Sequence, residues 1–258
     1  MQELTLHELQ QVSLNLLLDV HQFCDAHKIK YSIAYGTLIG ALRHKGFIPW
    51  DDDIDIIMMR DEYERFIKIY QDDYYKLIPG KDLANHYHVV ISDNSTQLVF
   101  NKNTANDYFY KGGLWVDVFP IDSVPDKTSE YRSLMRKIHL MAGLEQASQY
   151  KKNIYRTLPY YLLKPFSGLF GKKALDLILS YNNKSTSNVA NLSLYYLNYP
   201  SFPAKYMDVF VDVEFEGVKF KAMKHYDEFL KGIYGDYMQL PPLEERISRH
   251  AYSVYKRE

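Results

Sequence analysis

The chain has 258 residues, 47% hydrophobic and 24% charged, with 31 basic and 32 acidic residues and a formal net charge of −1. That apolar content supports a well-buried core and excludes a disordered chain, and the even charge balance excludes the global basic field of a nucleic-acid-binding protein. Cys24 is the sole cysteine, so neither a disulfide framework nor a thiolate metal site is expected, and a reducing cytoplasm is the natural setting.

Thr5-Leu6-His7-Glu8 has the form of a capping box, and Leu9, Val12, Leu16, Val20 and Phe23 recur every three or four residues. This predicts an amphipathic helix to about His27, a packing element. Tyr31, Ile33 and Tyr35 alternate with Ser32 and Ala34 as a first strand ending at Gly36. Thr37 is then expected to cap a short helix. Its N-terminal amides and dipole suit a phosphate, with Gly36 letting the backbone approach closely; a tight turn is the plainer use of that glycine. Arg43 is placed to neutralise diphosphate oxygens. Lys45 either assists it or belongs to a solvated basic turn.

The acidic stretch Asp51-Asp52-Asp53-Ile54-Asp55-Ile56-Ile57-Met58 organises the reading. In an extended chain Asp51, Asp53 and Asp55 face one way, and Asp52, Ile54 and Ile56 the other. Two like charges ~4 Å apart repel by about 4 kcal/mol at an effective dielectric of ~20, which a bound cation relieves. All-oxygen ligands favour Mg²⁺ or Mn²⁺. A solvated acidic turn fits poorly with the apolar residues that follow. An EF-hand would place Asp51, Asp53, Asp55 and Glu62 correctly, but Ile56 stands where that loop needs glycine.

Tyr63, Phe66, Ile67 and Tyr70 predict a helix. Tyr87–Ile91 and Gln97–Phe100 predict an antiparallel pair across 92–95, and Leu114–Phe119 a further strand. Asp117 stands among Trp115, Val116, Val118 and Phe119. A charge in an apolar strand needs a partner, either a metal or a basic side chain. Asp122, beyond Pro120, either approaches an acceptor as a base or caps a turn.

Residues 129–181 turn helical, and within them 149–173 combines basic and aromatic residues without acidic ones. That composition suits either the surface of an anionic bilayer or a packed helical hairpin with solvated lysines. No run of ~18 apolar residues and no basic-then-apolar leader is visible, so neither a membrane span nor a signal segment is expected. Val209–Phe220 reads as a hairpin around Glu216-Gly217. A helix over 226–233 follows, and after Pro241-Pro242 comes a last helical stretch with Arg246 and His250.

The run Gly36-Thr37-Leu38-Ile39-Gly40-Ala41-Leu42-Arg43-His44-Lys45-Gly46-Phe47-Ile48-Pro49-Trp50-Asp51-Asp52-Asp53-Ile54-Asp55 resembles the signature of the LicD family. These are bacterial phosphorylcholine transferases of the nucleotidyltransferase superfamily, related to fukutin and fukutin-related protein. Asp117-Val118-Phe119-Pro120-Ile121-Asp122 and Tyr234-Gly235-Asp236-Tyr237-Met238-Gln239-Leu240-Pro241-Pro242, with Arg246 and His250, are similar to later family blocks. Met58-Met59-Arg60 departs from the proline that the family usually carries before the arginine.

The resemblance implies an α+β fold: a nucleotidyltransferase-like mixed sheet core flanked by helices, in one domain over 1–258 with a helical insertion at about 128–182. It implies Asp53, Asp55 and Asp117 as metal ligands, Asp51 as a further ligand or neighbour, and Asp51 or Asp122 as base. It places Gly36, Thr37, Gly40, Arg43, Lys45, Arg246 and His250 around the donor. The expected reaction moves phosphorylcholine from CDP-choline to a sugar hydroxyl of teichoic acid, capsule or lipopolysaccharide precursors, some of them lipid-linked, and releases CMP. The enzyme would be cytoplasmic, with peripheral contact to the inner membrane face through 149–173. Transfer of ribitol or glycerol phosphate, a nucleotidyl transfer releasing pyrophosphate, and a non-catalytic choline- or metal-binding module remain alternatives.

Overall fold

The computed structural model describes residues 2–78, 88–100, 112–149, 167–182, 184, 186–194, 199–248 and 252–257. They form an α+β fold in two compact units, residues 1–120 with 205–258, and residues 121–204. In chain order the first unit carries α1 (Leu6–His27), β1 (Ser32–Ile33), α2 (Tyr35–His44), β2 (Asp55–Met59), α3 (Arg60–Ile69), β3 (Tyr75–Ile78), β4 (Val89–Asp93), β5 (Thr96–Phe100) and the start of β6 (Trp115–Val124). The second unit carries the end of β6, then α4 (Thr128–Gln149), α5 (Ser167–Asn182), β7 (Asn188–Ala190) and β8 (Phe202–Pro203). The chain returns to the first unit with β9 (Phe210–Phe215), β10 (Val218–Met223), α6 (Tyr226–Tyr234) and β11 (Tyr252–Lys256).

The capping box at the start of α1 forms as its residues predict: Glu8 N donates to Thr5 Oγ1 at 3.4 Å, and Thr5 N to Glu8 Oε2 at 2.7 Å. Leu16, Leu17, Val20 and Cys24 bury one face, and Lys28 ends the helix in the left-handed region at φ 54°. Polar residues on α1 reach the acidic segment. Gln10 Nε2 donates to Asp51 O at 2.8 Å and Ser13 Oγ to Asp52 O at 3.2 Å, so the helix fixes the backbone from which the carboxylates project.

In the first unit the sheet order is β1-β2-β6-β4-β3. Ser32 and Ile33 pair antiparallel with Ile57 and Ile56, and β4 pairs antiparallel with both β3 and β6. Ile56, Ile57 and Met58 are fully buried, which is why β2 reads as a continuous apolar run. In the second unit the end of β6 pairs with β7, and β7 with β8.

Several expectations need correction. The first strand stops at Ile33, and α2 begins at Tyr35 with Ala34 as N-cap and no side-chain cap. Ala34 N still donates to Asp55 O at 3.0 Å while its carbonyl accepts from Leu38 N at 3.0 Å. One residue therefore ends the ladder and starts the helix, leaving Thr37 no capping role. Among the described residues β4 and β5 do not pair: β5 joins β11, with Phe100 opposite Tyr252. The stretch after Pro242 is a short 3-10 turn, Leu243–Glu245, followed by that strand, because β5 needs a partner for its exposed ladder. The hairpin at Glu216-Gly217 forms as expected, with φ of 49° and 75° at the turn.

Candidate active site

The acidic segment leads into β2 next to the N-terminus of α2. Asp51, Asp53 and Asp55 are partly exposed, whereas Asp52, Ile54 and Ile56 are buried, Asp52 to 2% exposure. The alternation expected of an extended chain is therefore present, although the ladder itself starts only at Asp55. The three exposed carboxylates line one cavity of about 340 Å³ together with Tyr35, Gly36, Trp50 and Tyr234, closed by Pro241, Glu245 and Ile247 from the tail. At Gly36 a Cβ would stand 3.0 Å from Asp51 Oδ2, so glycine lets this carboxylate lie against the positive end of α2.

Tyr35 holds the entry to that helix in an uncommon conformation. Its φ is 48°, and its ring is buried against Phe119 and Phe229 at centroid distances of 5.9 and 5.8 Å. A tyrosine at positive φ is unfavourable by itself and persists where packing over-determines it, which ring contacts on two sides provide. Thr37 is buried, and its Oγ1 accepts from Asp55 N at 2.9 Å. It ties α2 to β2 rather than standing open to a ligand.

One carboxylate oxygen from each of Asp51, Asp52 and Asp53 comes within 4.8 Å of the other two. An all-oxygen set at that spacing fits a hard divalent cation such as Mg²⁺ or Mn²⁺. Of this cluster, Asp53 was expected as a ligand and Asp51 as a further ligand or neighbour, whereas Asp52 was assigned to the opposite face. Asp52, facing inward, accepts from Tyr252 Oη at 3.3 Å, and burial together with Asp52 and Asp53 raises the Tyr252 pKa, keeping the phenol a donor. Asp117 on β6 donates its N–H to Ile54 O at 2.9 Å, which places its strand beside the acidic segment. Its carboxylate is oriented by His88 Nε2 at 3.0 Å and Trp115 Nε1 at 2.8 Å.

A basic corner adjoins the cavity wall. Arg43 donates through Nε to His44 Nε2 at 2.9 Å and through Nη1 to Tyr237 O at 2.9 Å and Gln239 O at 3.3 Å. Arg246 donates to Pro241 O at 2.9 Å and lies 5.8 Å from the centroid of the Trp50 ring, which His44 meets edge-on at 6.5 Å. Burial, with Arg246 nearby, lowers the Arg43 pKa, and burial with Arg43 holds the His44 imidazole below its usual range. Pro241, Glu245 and Ile247 of the tail line the cavity, and the two arginines bond the backbone of that tail at Tyr237, Gln239 and Pro241.

Other expected residues do not line this cavity. Gly40 is buried where a Cβ would stand 2.4 Å from Gly46 O, so close packing of the following turn explains it. Lys45 is exposed and ends α2 at φ 61°. Asp122 belongs to the second unit, where it is buried and accepts from Asn182 Nδ2 at 2.7 Å. His250 lies outside the described residues, as do residues 150–166 of the basic aromatic segment. No helix among the described residues is long and apolar enough to cross a membrane.

The family model for the LicD/FKTN/FKRP nucleotidyltransferase domain matches residues 28–169, which include the acidic segment, α2 and Asp117. The chain belongs to the LicD family. The lipopolysaccharide cholinephosphotransferase LicD of Haemophilus influenzae is 35% identical over 270 residues, covering 99% of both chains. An uncharacterized protein of Rickettsia typhi is 31% identical over 112 residues, 39% of this chain and 36% of its own. Another, of Rickettsia prowazekii, is 49% identical over 47 residues, 18% of each chain.

Within this LicD fold, sequence reasoning missed His88, Tyr252 and Glu245. His88 and Tyr252 meet the carboxylates through pairings far apart in the chain, and no local spacing marks them. His88 Nδ1 is buried and has no hydrogen-bond partner among the described residues.

Proposed function

We propose that this protein transfers phosphorylcholine from CDP-choline to a sugar hydroxyl of a cell-surface glycan, with a divalent cation held at the aspartates. The observation that carries this reading is the cavity in which Asp51, Asp53 and Asp55 face Gly36 at the start of α2, with Tyr35, Trp50 and Tyr234 in its wall. The near full-length similarity to a cholinephosphotransferase that acts on lipopolysaccharide supports the choice of substrate class. The reaction class, phosphotransfer, follows from the family.

In this reaction the acceptor oxygen bonds to the phosphorus that carries choline, the bond from that phosphorus to the CMP oxygen breaks, and CMP departs. Catalysis of this kind rests on positioning and charge neutralisation. Asp53 would hold the cation, with Asp51, Asp52, Asp55 and Asp117 as the further oxygen donors around it. A bound Mg²⁺ or Mn²⁺ supplies neutralisation of the diphosphate and of the departing phosphate oxygen. The backbone amides at Gly36 and Thr37 and the guanidinium groups of Arg43 and Arg246 orient the donor's phosphates, with Lys45 outside them. Tyr35, Trp50 and Tyr234, beside carboxylates, suit a quaternary ammonium. The acceptor proton would go to Asp51, which lines the cavity.

The description of the matched domain as a nucleotidyltransferase keeps a second reading in view, in which CMP itself is transferred and pyrophosphate leaves. Purified protein with CDP-choline, a glycan acceptor and Mg²⁺ or Mn²⁺ is expected to release CMP. Asp53→Asn and Asp55→Asn should each slow release by at least about a hundredfold. Undiminished release in both variants contradicts the assigned site, and turnover of CDP-ribitol or CDP-glycerol in place of CDP-choline would change the donor.

A further inference from the structure

Asp52 is the anomaly of the acidic segment. It is 2% exposed, with its side chain turned into the protein, yet one of its oxygens lies within 4.8 Å of oxygens from Asp51 and Asp53. A carboxylate buried beside two others is unfavourable unless donors or a cation offset its charge. Ser13 on α1 holds the backbone of this residue, through Asp52 O. The side chain is met from the far end of the chain, where Tyr252 Oη donates to Asp52 Oδ2 at 3.3 Å across a separation of 200 residues.

Several elements fix the place of Tyr252. It opens β11, where it stands opposite Phe100 of β5. The other edge of β11 bonds the N-terminal residues: Leu4 N donates to Val254 O at 2.9 Å and Lys256 N to Gln2 O at 3.1 Å. The Tyr252 ring packs on Trp115 at a centroid distance of 5.5 Å, and both border the buried cluster of Leu98, Leu114 and Val254, against which Leu9 and Val12 of α1 also pack. A phenylalanine would serve that packing equally well. The hydroxyl is the added feature, and a hydroxyl taken out of solvent needs a partner. Burial, followed by the charges of Asp52 and Asp53 and more weakly that of Asp117, raises the Tyr252 pKa. The phenol therefore keeps its proton among three carboxylates and acts on them as a donor.

A hydroxyl has one proton to give, whereas a carboxylate has two oxygens to receive. Asp52 can thus accept from Tyr252 and still offer an oxygen toward Asp51 and Asp53. We infer that Tyr252 is a positioning residue of the cation site, its hydroxyl holding the inward-turned Asp52 as a third ligand beside Asp51 and Asp53. The carboxylates lie early in the chain, and its last strand completes their arrangement. This inference rests on the divalent-cation reading of the aspartates.

The test is calorimetric titration of the full chain with Mn²⁺. Tyr252→Phe, which keeps the ring on Trp115 and deletes the hydroxyl, should bind Mn²⁺ about tenfold more weakly than wild type. Tyr255→Phe, the same deletion on the opposite face of β11, should bind as wild type does. Asp52→Asn should also weaken binding, and adding Tyr252→Phe to it should cost little more, because the hydroxyl acts through that carboxylate. CMP release by Tyr252→Phe should need about tenfold more Mn²⁺ to reach half its maximum, and kcat should return to the wild-type value once the metal saturates. Equal Mn²⁺ affinity in wild type and Tyr252→Phe overturns the proposal and leaves the cation reading intact. So do losses that add in full in the double variant, or a loss that Tyr255→Phe reproduces. Wild-type protein that binds no Mn²⁺, or binds it no better than Asp53→Asn, refutes the cation reading itself and the proposal with it.

Discussion

At the scale of single residues, the site depends on donors that sequence inspection did not select. Asp117 stands in an apolar strand, and its two oxygens are satisfied by His88 and Trp115. Such partners fix a carboxylate's orientation, and removing one weakens metal binding by about tenfold or more. Trp115→Phe keeps a ring near Tyr252, now 5.5 Å away, but deletes the N–H donor. If Asp117 belongs to the proposed cation site, this should reduce Mn²⁺ affinity by about tenfold in a calorimetric titration and change the melting temperature little; unchanged affinity would remove Asp117 from that proposal. His44 carries a pH dependence. Its imidazole accepts from Arg43 and is held below the usual range by burial and that cation. The unfolded chain therefore takes up the proton first, so stability from this contact is present above pH ~6.5 and is lost as the pH falls through that range. His44→Gln should flatten the decline in melting temperature between neutral and mildly acidic pH, and an identical decline in both proteins would contradict the assignment.

At the scale of elements, the helix-to-strand passage from α2 to β2 was legible in its ends but not in its middle. The alternation of Asp51, Asp53 and Asp55 followed from the pleat, and the α1 capping box followed from Thr5 and Glu8. The start of α2 did not, because Tyr35 continues the pattern of Tyr31 and Ile33 while its backbone has already turned to positive φ. The pairing of β5 with β11 was hidden for another reason: strand partners far apart in sequence leave no local mark. Tertiary closeness also explains the turn after α2. Gly40 admits Gly46 O, while Glu216 Oε1 accepts from Phe47 N at 3.0 Å and Glu216 N donates to Lys45 O at 2.8 Å. The β9–β10 hairpin thereby holds the turn that leads into the acidic segment. Gly40→Ala should destabilise the protein by about 1–3 kcal/mol in chemical denaturation, since backbone rather than a flexible side chain must give way. Glu216→Ala should have a smaller effect, about 1–2 kcal/mol. Equal stability of Gly40→Ala and wild type would show that the close approach is not required.

For the whole molecule, the family was readable because its motif is long and specific, and the near full-length similarity to a cholinephosphotransferase agrees with it. The functional choice within the family was not, since the candidate cavity is assembled from distant segments: Trp50 from the loop after α2, Tyr234 from the end of α6, and Glu245 beyond Pro242. The measurement that bears most directly on the account is phosphorus NMR of the products formed from CDP-choline and a lipopolysaccharide acceptor with Mg²⁺ present. The account predicts CMP as the soluble phosphate product and a new phosphodiester on the glycan, both absent with Asp53→Asn. Pyrophosphate formed from CTP, with CDP-choline left intact, would contradict it.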